Sequence, residues 1–485
     1  MASFSKEFLS GTFYIAVAKY VGIAIQLFIT AILARLLTPS DFGVIAIATV
    51  FIAFFNILSD VGVGVAVIQY KDLSDRDLDH LFSINILLGL FLSVIFFLLS
   101  GVISCFYNNG QLRYVCQILC TLIFFTCSYT VPLNILYRKK QFKYIAFANL
   151  SVQAFCGISA VFAALAGWGV YALVLSQVLS ALLLFVVYTL KYRRHFYLKI
   201  DFSPLKRIYS YSVYNFAGTF FCYLTLNIDK LLVGKFIGTK ALGYYEKSYR
   251  LVFLPISNLS FVITPVLHPL FSDYQNDFNG LQNKYLKIIE VLAYISFPLS
   301  VICFFLSKEV ILIFFGYQWL ATIPSFRVMS LAISFLVIDT TVGSVFNAIF
   351  QTKRGFYTMI LMSSIMILSV CTSIFFWNNI LSVAYAFLFA KIVGSIINFL
   401  SLMQGLQTRY SRFFVVLNKP ILVSLSVFVS MYFLSPFLPV DNLLLCVIVK
   451  VGVWLLFTIL FVYLFGGYSI FKQASQRIKA LIYKE

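Results

Sequence analysis

Charge is what this sequence has least of. Asp, Glu, Lys and Arg make up 11% of its 485 residues, against about a quarter in soluble domains, so a water-soluble fold would lack the polar surface to cover itself. Acid is scarcer than base, with 17 Asp and Glu against 36 Lys and Arg, and His is rarer still, with 3. No Gly-rich loop ends in Gly-Lys-Ser/Thr, which leaves no ATP-binding loop of that type; Gly234-Lys235-Phe236 is merely Gly followed by Lys. His80, His195 and His268 are scattered without partner motifs and read as interfacial residues. The nine cysteines form no CxxC pair and have no His at metal spacing. They read as small apolar packing residues; Cys105 and Cys116, flanking one short loop, are the pair for which a disulfide is conceivable, with two thiols the commoner state. The large polar outer loop that a membrane polymerase or glycosyltransferase would use is missing too. Nothing activates a nucleophile, so the expectation is a protein that is not an enzyme and binds no organic cofactor.

What is present is apolar length. Hydrophobic residues reach 61%, and a spanning helix needs about 20 of them in sequence, because about 30 Å of hydrocarbon is crossed at about 1.5 Å per residue. Cutting at polar and Pro/Gly breaks gives fourteen candidate spans: six from Phe13 to Leu190, six from Tyr209 to Met403 and two from Lys419 to Phe465. The fold class is therefore all-α and membrane-integral. The first run follows Lys6 without a small-residue cleavage site and reads as a retained helix.

Basic residues crowd alternate connections, such as Arg138-Lys139-Lys140 with Lys143 and the long stretch from Lys191 to Arg207. By the positive-inside rule that side is cytoplasmic, and an even helix count puts both termini there. Such placement favours anionic membrane lipids over nucleic acid. The stretch from Lys191 to Arg207 follows six spans and divides a lobe at 1–200 from a second at 201–404, leaving 405–485 as two extra spans and a basic tail. A shift of 200 positions supports that cut. Leu33 to Gly43 overlays Val233 to Gly243, matching Arg35 with Lys235 and the turn glycines Gly43 with Gly243, as in transporters built from paired halves. In the tail from Tyr468 to Glu485, apolar residues every four positions suggest a helix lying on the inner leaflet, with a disordered basic tail as the alternative.

Ionisable residues inside spans are costly and usually face a cavity or a partner. Here the cations exceed the acids: Lys19, Lys230, Arg327, Lys391 and Lys450, joined by Arg35, Lys235, Lys247 and Arg250 near the outer face, stand against Asp60, Asp229, Glu290 and Asp339. A cavity with that surplus suits an anionic cargo such as a lipid diphosphate. Lys19 and Lys391 lie near span ends, where their stems can instead snorkel to water. Asp60, Asp229 and Asp339 are the candidates for a coupling H+ or Na+, since an acid held away from water can exchange protons; a structural hydrogen bond is the plain alternative. Pro132, Pro255, Pro265, Pro269 and Pro298 interrupt spans and suggest kinks.

Several segments together carry a family resemblance: ARLLTPSDFGVIAIATVF (34–51), DVGVGVAVIQYKDLSDRDL (60–78), VPLNILYRKKQFKYIAFANL (131–150), GWGVYALVLSQ (167–177), NIDKLLVGKFIGTKALGYYEKSYRL (227–251) and FFGYQWLATIPSFRVMSL (314–331). The chain resembles the polysaccharide transporter family, the branch of the multidrug/oligosaccharidyl-lipid/polysaccharide exporters that contains O-antigen, colanic acid and teichuronic acid flippases. The resemblance implies two six-helix lobes in a V around a central cavity plus two further helices, in the bacterial inner membrane. It implies a polyprenyl-diphosphate-linked oligosaccharide as cargo, carried from the cytoplasmic to the periplasmic leaflet, with polysaccharide polymerase machinery as a partner. The family's basic cavity residues would correspond to Arg35, Lys230, Lys235, Lys247, Arg250 and Arg327. A cation-exporting drug antiporter is the rival reading, but it would be expected to place more acids in the first lobe than Asp60.

Overall fold

In hydrocarbon a backbone must satisfy its own N–H and C=O groups, so apolar runs of this length become helices. The computed structural model describes residues 2–485 apart from 60–62, 71–72, 198–200, 202–219, 221, 273–276, 439–441 and 468–485, and among those described there is no strand. Contacts divide the chain into two compact units, Met1–Gly243 and Tyr244–Glu485. The first holds α1 (Ala2–Leu36), α2 (Pro39–Ser59), α3 (Val63–Gln69), α4 (Asp75–Phe106), α5 (Gly110–Arg138), α6 (Phe142–Leu165), α7 (Val170–Lys191) and α8 (residues 222–236). The helix α9 (Thr239–Ser272) begins there and runs on into the second. The second also holds α10 (Phe278–Phe305), α11 (Ser307–Phe314), α12 (Thr322–Ser330), α13 (Ile333–Ala348), α14 (Thr352–Trp377), α15 (Ile380–Gly405), α16 (Tyr410–Leu434) and α17 (Leu443–Leu464).

Eleven of these helices are long and apolar enough to cross a membrane, or twelve if the bent pair α12 and α13 is one span. Among the described residues the fourteen expected spans are thus matched by eleven or twelve. Two expected spans account for the difference: most of Tyr209 to Ile237 before residue 222 lies outside the described residues, and Leu242 to Leu270 is helical within α9, which is not among the eleven. α5, α9 and α10 each continue as one helix through Pro132, Pro255 and Pro298. A bend of 52° falls between α12 and α13, where Leu331 and Ala332 intervene. The C-terminal tail and its expected surface helix lie outside the described residues.

Local chemistry explains where helices start. Thr38 precedes α2, and the Asp41 carboxylate accepts from the Thr38 backbone N–H at 2.9 Å and hydroxyl at 2.7 Å, while Pro39 occupies the first helical position. Ser74 and Asp77 form the same reciprocal cap at α4. The 37–43 motif thus encodes a helix start, and its glycine encodes a close crossing. A Cβ added at Gly43 would stand 1.8 Å from the Thr239 carbonyl oxygen, and one at Gly243 would stand 1.9 Å from that of Pro39. The two segments that overlay in sequence are packed reciprocally against each other.

Within the first unit α4 packs on α5, α5 on α7, α6 on α7 and α1 on α6. Phe96, Leu112, Leu119, Ile123 and Val131 fill the interior. The basic connection starts docked on α4: the Arg194 guanidinium pairs with Asp75 at 2.9 Å and with buried Asp79 at 3.5 Å, and the Tyr197 N–H donates to Ser83 at 2.9 Å. In the second unit the hairpin of α16 and α17 lies on α10 around Tyr294, Val301, Val423 and Val427. It is pinned by polar contacts too, since the Trp454 indole donates to the Pro298 carbonyl at 2.9 Å and Lys450 pairs with buried Glu309 at 2.7 Å. Cys105 is exposed and Cys116 buried, and neither is in a disulfide.

Candidate functional site

Three of the expected cations are held by π faces and carbonyls. Lys235, near the end of α8, donates from Nζ to the Phe106 carbonyl and lies 4.4 Å from the centre of the Phe106 ring. Lys247, in the third turn of α9, is buried to 2% exposure with its ammonium 5.0 Å from the Phe315 ring and 5.3 Å from that of Trp319. Lys391, within α15, is also buried and stands 5.4 Å over the Phe387 ring. An aromatic face is a favourable neighbour for an ammonium, most so where water is excluded. Arg327 ends α12 with Nε on the Ser307 hydroxyl at 3.1 Å and its guanidinium 5.5 Å from Phe304, and the residue is exposed. Arg35 and Arg250 are exposed and Lys230 half-buried.

The acids divide similarly. Asp339, on α13, accepts from Ser395 Oγ at 2.5 Å and from Asn398 Nδ2 at 3.3 Å, both on α15. Tyr285 and Thr341 make a further hydroxyl contact at 3.2 Å from the same α13 segment. Asp229 is buried on α8 and accepts from the Lys230 backbone N–H at 2.9 Å. Asp60 lies outside the described residues. Glu309, on α11 and absent from the expected acids because it lies between two expected spans, is the acid that meets Lys450.

The second unit also has a groove of about 520 Å³ between α14 and α15, lined by Ser369, Thr372, Ser373 and Tyr385. Phe375, Phe376 and Trp377 are exposed at that end, as aromatic residues at a membrane interface are.

Lys19 belongs to a different arrangement. It lines a cavity of about 400 Å³ in the first unit, between α1 and α6, with Gln26, Asn149 and Gln153 among the other lining residues. Gln153 Nε2 donates to the Gly22 carbonyl at 3.0 Å and Tyr188 donates to Asn149 Oδ1 at 3.0 Å. The three amides carry no charge and so do not stand out among the ionisable residues of the sequence. Their signal was spacing: Lys19 and Gln26 are two turns apart on one helix, and Asn149 and Gln153 one turn apart on another.

This architecture is that of a known class of multi-pass membrane protein. The inward closed conformation of the lipid II flippase MurJ superposes with a TM-score of 0.71 at 16% identity, covering 93% of this chain and 98% of that one. An inward-facing multidrug resistance MATE family transporter of the MOP superfamily gives 0.63 at 15% identity, covering 80% and 94%. Residues 32–324, more than half of the chain, match the polysaccharide biosynthesis protein family, and the chain belongs to that family. Along 87% of its length it is 26% identical to the teichuronic acid biosynthesis protein TuaB of Bacillus subtilis (strain 168), covering 88% of that protein. It is 25% identical along 89% of its length to the lipopolysaccharide biosynthesis protein WzxC of Escherichia coli (strain K12), covering 88%.

Proposed function

We propose that this protein is a secondary transporter of the bacterial cytoplasmic membrane, with both termini in the cytoplasm. It flips polyprenyl-diphosphate-linked oligosaccharide repeat units from the cytoplasmic to the periplasmic leaflet by alternating access. The product feeds O-antigen, capsule or exopolysaccharide assembly, and a polysaccharide polymerase would act next. Family membership supports a role in polysaccharide synthesis, and the names of the relatives, which include a succinoglycan biosynthesis transport protein of Rhizobium meliloti (strain 1021), support transport rather than catalysis. The observation that carries the cargo's sign is the excess of cations at membrane depth, with Lys247 and Lys391 both buried. A lysine kept in low dielectric attracts a diphosphate far more strongly than one in water. Asp339 is the acid we assign to H+ or Na+ coupling, because its two donors leave further carboxylate lone pairs for a small cation.

The test is flipping in proteoliposomes holding a fluorescent polyprenyl-diphosphate oligosaccharide, read by loss of protection from a membrane-impermeant quencher. Wild type should flip it, and Lys230→Ala or Arg327→Ala should flip it at least tenfold more slowly while remaining in the membrane. Transport of lipophilic cations with no movement of the sugar lipid would overturn the reading in favour of a drug exporter.

A further inference from the structure

Polar side chains inside a membrane helix often serve only to bond to their neighbours, and Gln153 and Asn149 each make one such bond, to the Gly22 carbonyl and from Tyr188. These bonds leave space between α1 and α6. Lys19, Gln26, Asn149 and Gln153 border about 400 Å³ of space, within the range of about 300–1,000 Å³ common to small-molecule sites.

The polar groups also face away from lipid. At 3.6 residues per turn, Val17, Tyr20, Val21 and Phe28 share one side of α1 and are exposed, while Lys19, Gly22 and Gln26 lie on the opposite side. On α6, exposed Phe147, Phe155, Ile158 and Phe162 share one side, while Asn149 and Gln153 lie opposite. Two helices thus turn their lipid faces outward and their amides toward the same hollow. Gly22 fits this purpose, since a Cβ there would come within 3.1 Å of Gln153 Oε1 and press on the amide. Gln153 bonds through Nε2 and Asn149 through Oδ1, so the other polar atom of each carboxamide can serve a hydroxyl-rich occupant.

The lining identifies the occupant's chemistry. A carboxamide offers a donor and an acceptor side by side, which matches neighbouring hydroxyls on a sugar ring. Tyr137 and Phe142, also in the lining, offer aromatic surface for the ring's C–H groups. Lys19 adds one positive charge, and Tyr137 and Phe142 bracket the turn bearing Arg138, Lys139 and Lys140, so the approach is cationic and draws anions.

We propose that the α1–α6 cleft is a saccharide subsite that takes one acidic sugar ring, of uronic acid type, from the carried glycan. Lys19 pairs with its carboxylate, and Gln26, Asn149 and Gln153 bind its hydroxyls. This rests on the flippase reading above and adds a specificity determinant to it, in a part of the chain remote in sequence from the diphosphate-binding candidates Lys230 and Arg327.

The experiment compares two polyprenyl-diphosphate disaccharides in proteoliposomes of the full chain, one ending in glucuronate and the other in glucose. Loss of a charge-assisted contact is worth about tenfold. In Lys19→Met the ratio of glucuronate-lipid to glucose-lipid flipping should fall by about that factor, and Asn149→Leu with Gln153→Leu should lower it too. Phe28→Ala, on the lipid side of α1, should leave the ratio as in wild type. If wild type flips neither lipid, the flippase reading itself fails. If wild type flips both and the cleft variants slow both equally, the subsite is refuted and the cleft is structural. A phosphatidylglycerol molecule retained by wild type and lost from Lys19→Met in native mass spectrometry, with the flipping ratio unchanged, would make the cleft a lipid headgroup site and also refute the proposal.

Discussion

Two polar arrangements, one in each unit, differ in what meets the polar groups. In the second unit Lys450 holds Glu309 at 2.7 Å, and Asp339 holds Ser395 and Asn398. In the first, Lys19 and three carboxamides surround open space between α1 and α6. A polar group with a protein partner stabilises the fold when present and costs it when removed. A polar group such as Gln26, which borders the cavity and is exposed, contributes little to the fold, and its removal should show in cargo handling.

The largest test of that contrast is Lys450→Ala. It leaves Glu309, 5% exposed, without its ammonium partner, and only Cys446 Sγ at 3.6 Å remains near the same oxygen. Breaking a buried pair from one side costs about 3–5 kcal/mol, enough to lower the thermal midpoint of the detergent-purified protein by several degrees. The double variant Lys450→Met with Glu309→Gln should recover most of the loss, because no uncompensated charge is left. Equal midpoints for wild type and Lys450→Ala would show that the pair does not anchor α17.

Much of this was readable before any coordinates. Apolar runs located the eleven spanning helices because hydrocarbon permits few alternatives to helix, and the 200-residue shift picked out Gly43 and Gly243, which the fold presses together. The bend at Leu331 and Ala332 was not readable, since neither Pro nor Gly marks it. Nor was the Lys450–Glu309 pair, because Glu309 lies outside any apolar run and its partner comes from a helix distant in sequence. The amides of the first unit were missed for another reason: Gln and Asn carry no charge to stand out against a hydrophobic background, and the pattern appears only when two helices are drawn side by side.

A middle-sized effect should come from Asp339. Asp339→Leu strips the acceptor from the Ser395 hydroxyl, itself fully buried, and from the Asn398 amide, at about 1–3 kcal/mol. Asp339→Asn keeps one carbonyl acceptor, so its thermal midpoint should fall less. The pair also separates structure from coupling. If Asp339 exchanges a cation, Asp339→Asn loses the acceleration of flipping by an imposed proton or sodium gradient although it folds. If its flipping still responds to both gradients as wild type does, the carboxylate is purely structural.

The smallest effect, and the sharpest contrast with Lys450, belongs to Gln26→Leu. Gln26 borders the first unit's cleft and is exposed to it, so leucine there leaves no buried partner stranded. The thermal midpoint should stay within the change produced by about 0.5 kcal/mol, the usual range for substitutions that break no buried contact, or rise as apolar surface is gained. Glucuronate-lipid flipping should drop at the same time. A variant that melts several degrees below wild type would place Gln26 among the structural polar groups and erase its difference from Lys450, since the cleft would then hold the fold as the Lys450–Glu309 pair does.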